Sequence, residues 1–222
     1  MAEACRNVRF EGDAFTICAA KPGKHRIVLV ERGADGAPIR DFAPLVPQSG
    51  NVAFAMNAGM FDQDGLPIGL YVERGKELKP LNRADGPGNF HLKPNGVFWI
   101  DAGGWHVATA DMFAAAPRRP RFATQSGPML VVDGAVNPQF GANGSSLYVR
   151  NGVGVARDGT AWFAISERPV SFGRFARLFR DGLKTPNALF LDGYVSRLWD
   201  PPARRMDGGP KIGPIVVVLE TR

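Results

Sequence analysis

Five short stretches of this chain carry more amides, hydroxyls and glycines than the end of a plain strand needs. They are Asn57-Ala58-Gly59-Met60-Phe61, Lys93-Pro94-Asn95-Gly96-Val97, Thr124-Gln125-Ser126-Gly127-Pro128, Arg150-Asn151-Gly152-Val153-Gly154 and Leu191-Asp192-Gly193-Tyr194-Val195-Ser196. Side chains such as Asn57, Asn95, Gln125, Ser126, Ser166 and Ser196 offer fixed donors and acceptors for a hydroxylated or anionic ligand. Gly59, Gly127 and Gly193 would let backbone approach that ligand closely. Arg150 has the planar fork that grips a phosphate through two hydrogen bonds. Asp192 ends an apolar run at a glycine turn, which suits a general base or nucleophile. Glu73 is the second candidate carboxylate. Each stretch alone reads more readily as a turn with satisfied polar groups; together they read as one binding surface.

Other chemistries lack their residues. The three histidines, His25, His91 and His106, have no metal-ligand spacing, so no metal is expected. Gly152-Val153-Gly154 lacks the third glycine and following helix of a dinucleotide loop, and no Walker loop exists, so no cofactor is expected. Ser126 sits in Gln-Ser-Gly-Pro, outside the nucleophile elbow of serine hydrolases. The net charge of +6 is compatible with an anionic substrate. No recognised nucleic-acid motif accompanies it, and nucleic acid is not expected as a partner. No apolar run approaches the roughly 18 residues that span a membrane.

These residues need strands to hold them. The runs Arg26–Val30, Val52–Met56, Ile68–Val72, Val97–Ile100, Met129–Val132, Ala161–Ile165, Ala188–Leu191 and Ile215–Leu219 are apolar, mostly β-branched or aromatic, and bounded by turn residues. Asp133-Gly134 and Asp158-Gly159 between such runs predict tight hairpins, and with them a largely antiparallel or mixed sheet. Ser171 predicts the cap of a helix whose buried stripe is Phe172, Phe175, Ala176, Phe179 and Leu183, with Arg174, Arg177 and Arg180 on a solvated face. A second, shorter helix is expected over Asp111–Ala116. With 222 residues, 45% of them hydrophobic, and no linker or repeat, the chain reads as one α+β domain over residues 1–222. Its only cysteines, Cys5 and Cys18, admit two readings: a bridge, which requires an oxidising compartment, or two buried thiols. Met1-Ala2-Glu3-Ala4 has no basic or apolar region of a signal peptide, leaving a cytosolic protein or one whose signal has been removed.

The order of the motifs resembles the phosphodiester glycosidase family, in particular its small bacterial exported branch, from about Asn51 to the C-terminus. The markers are Met56 to Phe61, Gly69-Leu70-Tyr71-Val72-Glu73, Gly88-Asn89-Phe90, Lys93 to Val97, Ala123 to Pro128, Arg150 to Val155, Phe163-Ala164-Ile165-Ser166 and Leu189 to Gly193. The chain carries Asn57-Ala58-Gly59-Met60-Phe61 where members often have Asn-Gly-Gly-Phe-Phe. It carries Tyr194 where many have the second glycine of Leu-Asp-Gly-Gly. The resemblance implies a hydrolase that cuts a sugar-1-phosphodiester in an envelope or extracellular glycoconjugate. It gives Asp192, Glu73 and Arg150 catalytic duties and makes the amides, hydroxyls and glycines above substrate ligands. It also implies export to the periplasm or beyond, which suits a Cys5–Cys18 bridge and a removed signal. The alternative is a module that binds an envelope glycan or glycan phosphate without cleaving it.

Overall fold

The computed structural model describes residues 3–221, which form three sheets and a few short helices. The largest sheet runs, in spatial order, Cys5–Phe10 (β1), Asp13–Ala20 (β2), Ala161–Ser166 (β13), Asn151–Val155 (β12), Asn187–Phe190 (β14), Met129–Val132 (β10) and Ala135–Val136 (β11). A second contains Arg205–Met206 (β16), Leu198–Asp200 (β15), Val52–Asn57 (β4), Ile215–Glu220 (β17) and His25–Val30 (β3). The third contains Lys76–Lys79 (β6), Tyr71–Glu73 (β5), Phe122–Ser126 (β9), Gly96–Asp101 (β7) and Gly104–Thr109 (β8). Every strand pairing is antiparallel, at the antiparallel end of what the sequence predicts.

Each sheet turns one apolar face into a shared core, as the period of two along a strand requires. At its centre Phe163 of the first sheet meets Phe54 of the second at 5.5 Å and Phe98 of the third at 5.8 Å, both edge to face. Such contacts lock three sheets to one another at a single ring. The outer face of the first sheet is covered by Phe172–Arg177 (α2), capped by Ser171, whose hydroxyl accepts the Arg174 amide. The expected apolar stripe is buried except at Phe172, which is half-buried, but the α-helix stops earlier than its length predicts. Phe179 lies in a wider turn over Leu178–Gly182, and Leu183 N–H reaches back to the Leu178 carbonyl. Arg174 and Arg177 do not form a free solvated face: they pair with Asp13 and Glu11 at 2.8 and 2.6 Å, docking the helix on the first hairpin. The shorter helix is Ala110–Ala114 (α1), beginning one residue earlier than expected because Thr109 caps it.

Asp133-Gly134 forms the predicted tight hairpin, with φ of 48° and 82°. Asp158-Gly159 also joins an antiparallel hairpin, but by a different turn: only Gly159 has positive φ, 82°, and the connection from β12 to β13 runs over residues 156–160. Two further tight hairpins turn at Glu11-Gly12 and Arg74-Gly75, where a non-glycine residue takes φ of 48° and 53°. The predicted strand over Ile68–Val72 begins only at Tyr71, because the residues before it loop around Gln125.

Cys5 and Cys18 are register partners across β1 and β2 and are disulfide-bonded. No helix among the described residues is long and apolar enough to cross a membrane. Closing the 13-residue separation removes loop entropy from the unfolded chain, a stabilisation of about 3 kcal/mol. Denatured, unreduced protein from an oxidising compartment is therefore expected to show no reactive thiol. Reduction is expected to lower the denaturant midpoint. Two titratable thiols per chain would contradict the bridge.

Candidate active site

One end of all three sheets converges on a small set of buried polar side chains. Asn57 is the last residue of β4, Ser126 the last of β9, and Asn151 the first of β12. The segment 191–197, which leaves β14 and enters β15, passes between them. Asn151 donates through Nδ2 to the carbonyl of Asn57 at 3.1 Å and to its Oδ1 at 3.0 Å. Asn57 Oδ1 also accepts the Arg197 amide at 2.8 Å, and its Nδ2 donates to the Asp192 carbonyl at 3.2 Å. Asn151 Oδ1 accepts the Asp192 amide at 3.0 Å and the Ser196 hydroxyl at 3.3 Å. The Ser126 hydroxyl donates to the Leu191 carbonyl. Every group in this cluster is therefore tied to the loop that carries Asp192. Asn57 and Asn151, 1% and 0% exposed, have a partner for every side-chain nitrogen and oxygen.

The Asp192 side chain meets a different fate. Its residue is 8% exposed, and one carboxylate oxygen accepts the Tyr194 amide at 3.2 Å. Burial pushes its pKa up to about 6, opposed only by that amide, and no cation is among the groups that act on it. A carboxyl poised there can hold a proton in mildly acidic water and take one at neutral pH.

The predicted site residues divide by the face their strands present. Asn57, Ser126, Asp192, Gly193 and Ser196 come together. Gly193 is where the loop has least room, since a Cβ there would lie 2.4 Å from the Phe190 ring and 3.3 Å from the Val149 carbonyl. Gly59 is demanded by packing: a Cβ would lie 2.2 Å from the Gln125 carbonyl. Gly127 sits against Asn95, whose side chain donates to the Phe90 carbonyl and lines a cavity of about 300 Å³ with Arg83, Asp85, Lys93, Pro94 and Asp111. Gln125, alternating with Ser126, points the other way and clamps the preceding loop through Leu70 N, Asn82 N and the Asn82 carbonyl. Glu73 stands apart, accepting from the Tyr71 hydroxyl and the Glu31 amide. Ser166 accepts the Arg150 amide.

Arg150 immediately precedes β12, and its side chain makes its contacts away from those of Asn151. Its guanidinium stacks on Phe172, 3.5 Å from the ring centroid, and donates to the carbonyls of Val170 and Ser146 at 2.8 Å each. Burial lowers its pKa to about 10, so it stays charged at neutral pH. These contacts brace the stretch before β12 and do not bring the guanidinium to the Asp192 carboxyl. Sequence reasoning passed over Asn151 and Arg197. Asn151 lay within a polar stretch already singled out. Arg197 interrupts the apolar run Val195-Ser196-Arg197-Leu198-Trp199, and its side chain, 4% exposed, pairs with Asp41 at 2.8 Å. Among the described residues, no group of three or more His, Cys, Asp or Glu side chains is placed to hold a metal.

The family model for phosphodiester glycosidases matches residues 50–199, and the chain belongs to that family. It is 37% identical over 189 residues, 84% of its length, to the Escherichia coli (strain K12) uncharacterized protein YigE, of which the match covers 73%. Its fold is similar to the zebrafish N-acetylglucosamine-1-phosphodiester alpha-N-acetylglucosaminidase catalytic domain auto-inhibited by its pro-peptide. That match has a TM-score of 0.66 and 13% identity, and covers 98% of this chain and 82% of that one. A putative exported protein of Burkholderia pseudomallei K96243 is also similar, with a TM-score of 0.60 and 13% identity over 93% of this chain and 74% of that one.

The raised pKa of Asp192 has a stability consequence with a definite sign. Between about pH 4 and 6 the unfolded chain releases this proton while the folded chain keeps it, so stability falls as pH rises through that window. Above it the full penalty, roughly 3 kcal/mol, is in place. Asp192→Asn keeps an acceptor for the Tyr194 amide and removes the charge. Chemical denaturation is expected to find the variant more stable than the native protein by about 1–3 kcal/mol at pH 8 and nearly equal at pH 3.5. An equal or lower stability at pH 8 would mean that the carboxylate is well solvated.

Proposed function

We propose that this chain is a hydrolase that cleaves the bond between a sugar's anomeric carbon and a phosphodiester, with Asp192 as its base or nucleophile. The observation that carries the reading is one buried carboxyl, poised near pH 6 at the junction of three sheets, in a member of the phosphodiester glycosidase family. Ordinary glycosidases need a second carboxylic acid to protonate a poor alkoxide leaving group. Here the leaving group is a phosphate monoester, already stable as an anion near neutral pH. A site with a single carboxylate is thus chemically sufficient.

In the simplest sequence, water attacks the anomeric carbon and gives its proton to Asp192. The bond from that carbon to the phosphate oxygen breaks, the electron pair leaving with phosphate. Asp192 then returns its proton to solvent. Ser126, Ser196, Asn57 and Asn151 hold the Asp192 loop in register for this attack. Asn95, Lys93 and Arg83 line a separate cavity in which Arg83 pairs with Asp111 at 2.8 Å and Lys93 lies 3.8 Å from Asp85, so its positive charge is already matched. The Cys5–Cys18 bridge and the fold shared with an exported protein support work on an envelope or extracellular glycoconjugate, in the periplasm or outside the cell. Ala58, Met60 and Tyr194, which stand where family members often carry other residues, favour a second reading in which the fold binds a glycan phosphate without turnover.

A panel of sugar-1-phosphodiesters tested in oxygen-18 water separates these. Hydrolysis with the label on the anomeric hydroxyl of the sugar is expected, with kcat/KM rising through about pH 6 as Asp192 ionises. Asp192→Asn is expected to lose at least about a thousandfold in kcat. Label in the phosphate would mean attack at phosphorus and would sink the glycosidase assignment. Binding without cleavage of any member would favour the binding module.

A further inference from the structure

Several cations of this chain are paired with carboxylates: Arg174 with Asp13, Arg177 with Glu11, Arg197 with Asp41. At the end of the large sheet opposite Asp192, most are not. β12 starts at Asn151, beside the Asp192 loop, and β14 ends just before that loop. Residues 156–160 and 184–186 therefore lie a strand's length away, roughly 14 Å. There a cavity of about 520 Å³ is rimmed by Arg157, Arg180 and Lys184. A second, of about 140 Å³, is rimmed by Arg6, Lys21 and Lys24. Trp162 of β13 lines both and forms their common wall. It is half-buried, with the Arg6 guanidinium 5.7 Å from its ring centroid.

The acidic groups here do not cancel that charge. Asp181 takes Arg180 through two hydrogen bonds of 2.8 Å, and Asp158 accepts the Thr160 amide at 2.9 Å. Glu3 is the remaining acid on either rim. Arg6, Lys21, Lys24, Arg157 and Lys184 form no ion pair among the described residues, and all five are exposed. Cations of one sign gathered around a hollow repel one another and draw in an anion. Their mounting is firm on the larger rim. Lys184 has a left-handed backbone, with φ of 56°, and Thr185 beside it bonds the Phe179 carbonyl through its N–H at 3.0 Å and its hydroxyl at 3.1 Å.

The shape says which anion. A bilayer is flat and would rest on the rims without entering either hollow. Binders of single-stranded nucleic acid set several rings in a row for successive bases, and a single indole stands here. A chain of sugars and phosphates fits better. It brings separate negative groups to two separate basic clusters, and a sugar C–H face to the indole between them.

We propose that this end of the molecule is an anchoring site for a glycan chain with phosphodiesters in its backbone, held by the two basic clusters on either side of Trp162. The identity of the glycan rests on the hydrolase reading above. The site holds further repeats of the polymer whose sugar–phosphate bond is cut at Asp192, and tethering raises the local concentration of that bond.

Two double variants each strip one rim: Arg157→Gln with Lys184→Asn, and Lys21→Gln with Lys24→Gln. Asparagine suits the left-handed backbone at position 184. Calorimetry in the Asp192→Asn background, which prevents turnover, measures affinity for a linear glycosyl-1-phosphate polymer at low and high salt. Each pair is expected to weaken binding about tenfold at low salt, with a smaller difference at high salt. With Asp192 intact, each is expected to raise KM for the polymer about tenfold with kcat held. A methyl diester of the same sugar 1-phosphate should be cleaved as by the native protein. Native-like polymer binding by either variant would overturn the anchor. Native protein that prefers phosphatidylglycerol vesicles or a DNA oligonucleotide to the polymer, and loses them in the same variants, would overturn the glycan as occupant. If the variants weaken polymer binding while neither polymer nor methyl diester is cleaved, the hydrolase reading fails and the anchor stands. Cleavage of both with no effect of either variant gives the reverse, and neither binding nor cleavage overturns both.

Discussion

The site depends on two asparagines that face one another across two sheets. The Asn57–Asn151 pair joins the end of β4 to the start of β12, and its remaining capacity is taken by Asp192 N–H, Ser196 Oγ, Arg197 N–H and the Asp192 carbonyl. An amide is suited to this task because it offers donors and acceptors at one point, and both ends are used. Removing either partner would leave several buried groups unmatched, each costing about 1–3 kcal/mol. The loop from Leu191 to Arg197 is thereby fixed from within, with its backbone turned toward the asparagines and the Asp192 carboxyl left with one amide as company.

That division of labour explains why the site is polar yet poor in charge. Hydrogen bonds to backbone hold the loop, so no cation is needed near Asp192, and none offsets the cost of burying its carboxylate. The arginines at the margins serve other ends. Arg197 sends its amide to Asn57 and its guanidinium to Asp41, whose carboxyl burial would raise but the Arg197 hydrogen bond and nearby amides hold below the ordinary range. Arg150 braces the outer face of the large sheet through Phe172, Val170 and Ser146.

Much of this was legible in the sequence because the strands announce themselves. Apolar runs such as Val52–Met56 and Ile215–Leu219 have no alternative burial, and polar residues at their ends mark where strands emerge. Asp133-Gly134 was readable because its turn needs positive φ, whereas Glu11-Gly12 and Arg74-Gly75 make equally tight hairpins with first residues that carry no such signal. The direction of a side chain was harder. Gln125 and Ser126 are adjacent and equally polar, yet only Ser126 faces the Asp192 loop, and the register that decides this is set by pairing to β7. Of Arg150 and Asn151, adjacent at the start of β12, it is the residue with less evident chemistry that bonds the Asp192 loop. Glu73 resembles a catalytic carboxylate until Tyr71 and Glu31, distant in sequence from one another, are seen to hold it.

A loop pinned by two buried asparagines holds one carboxyl out of water and so poises it for chemistry near neutral pH. Carbon-13 resonances of aspartate carboxyls, followed through a pH titration of the native protein and of Asn151→Ser, address it directly. The Asp192 signal is expected to titrate at about 6 in the native protein and to move toward the ordinary carboxylate range when the pin is weakened. An Asp192 that titrates near 4 in the native protein would show that the pinned loop does not poise it, because its carboxylate would then be as well solvated as any on the surface.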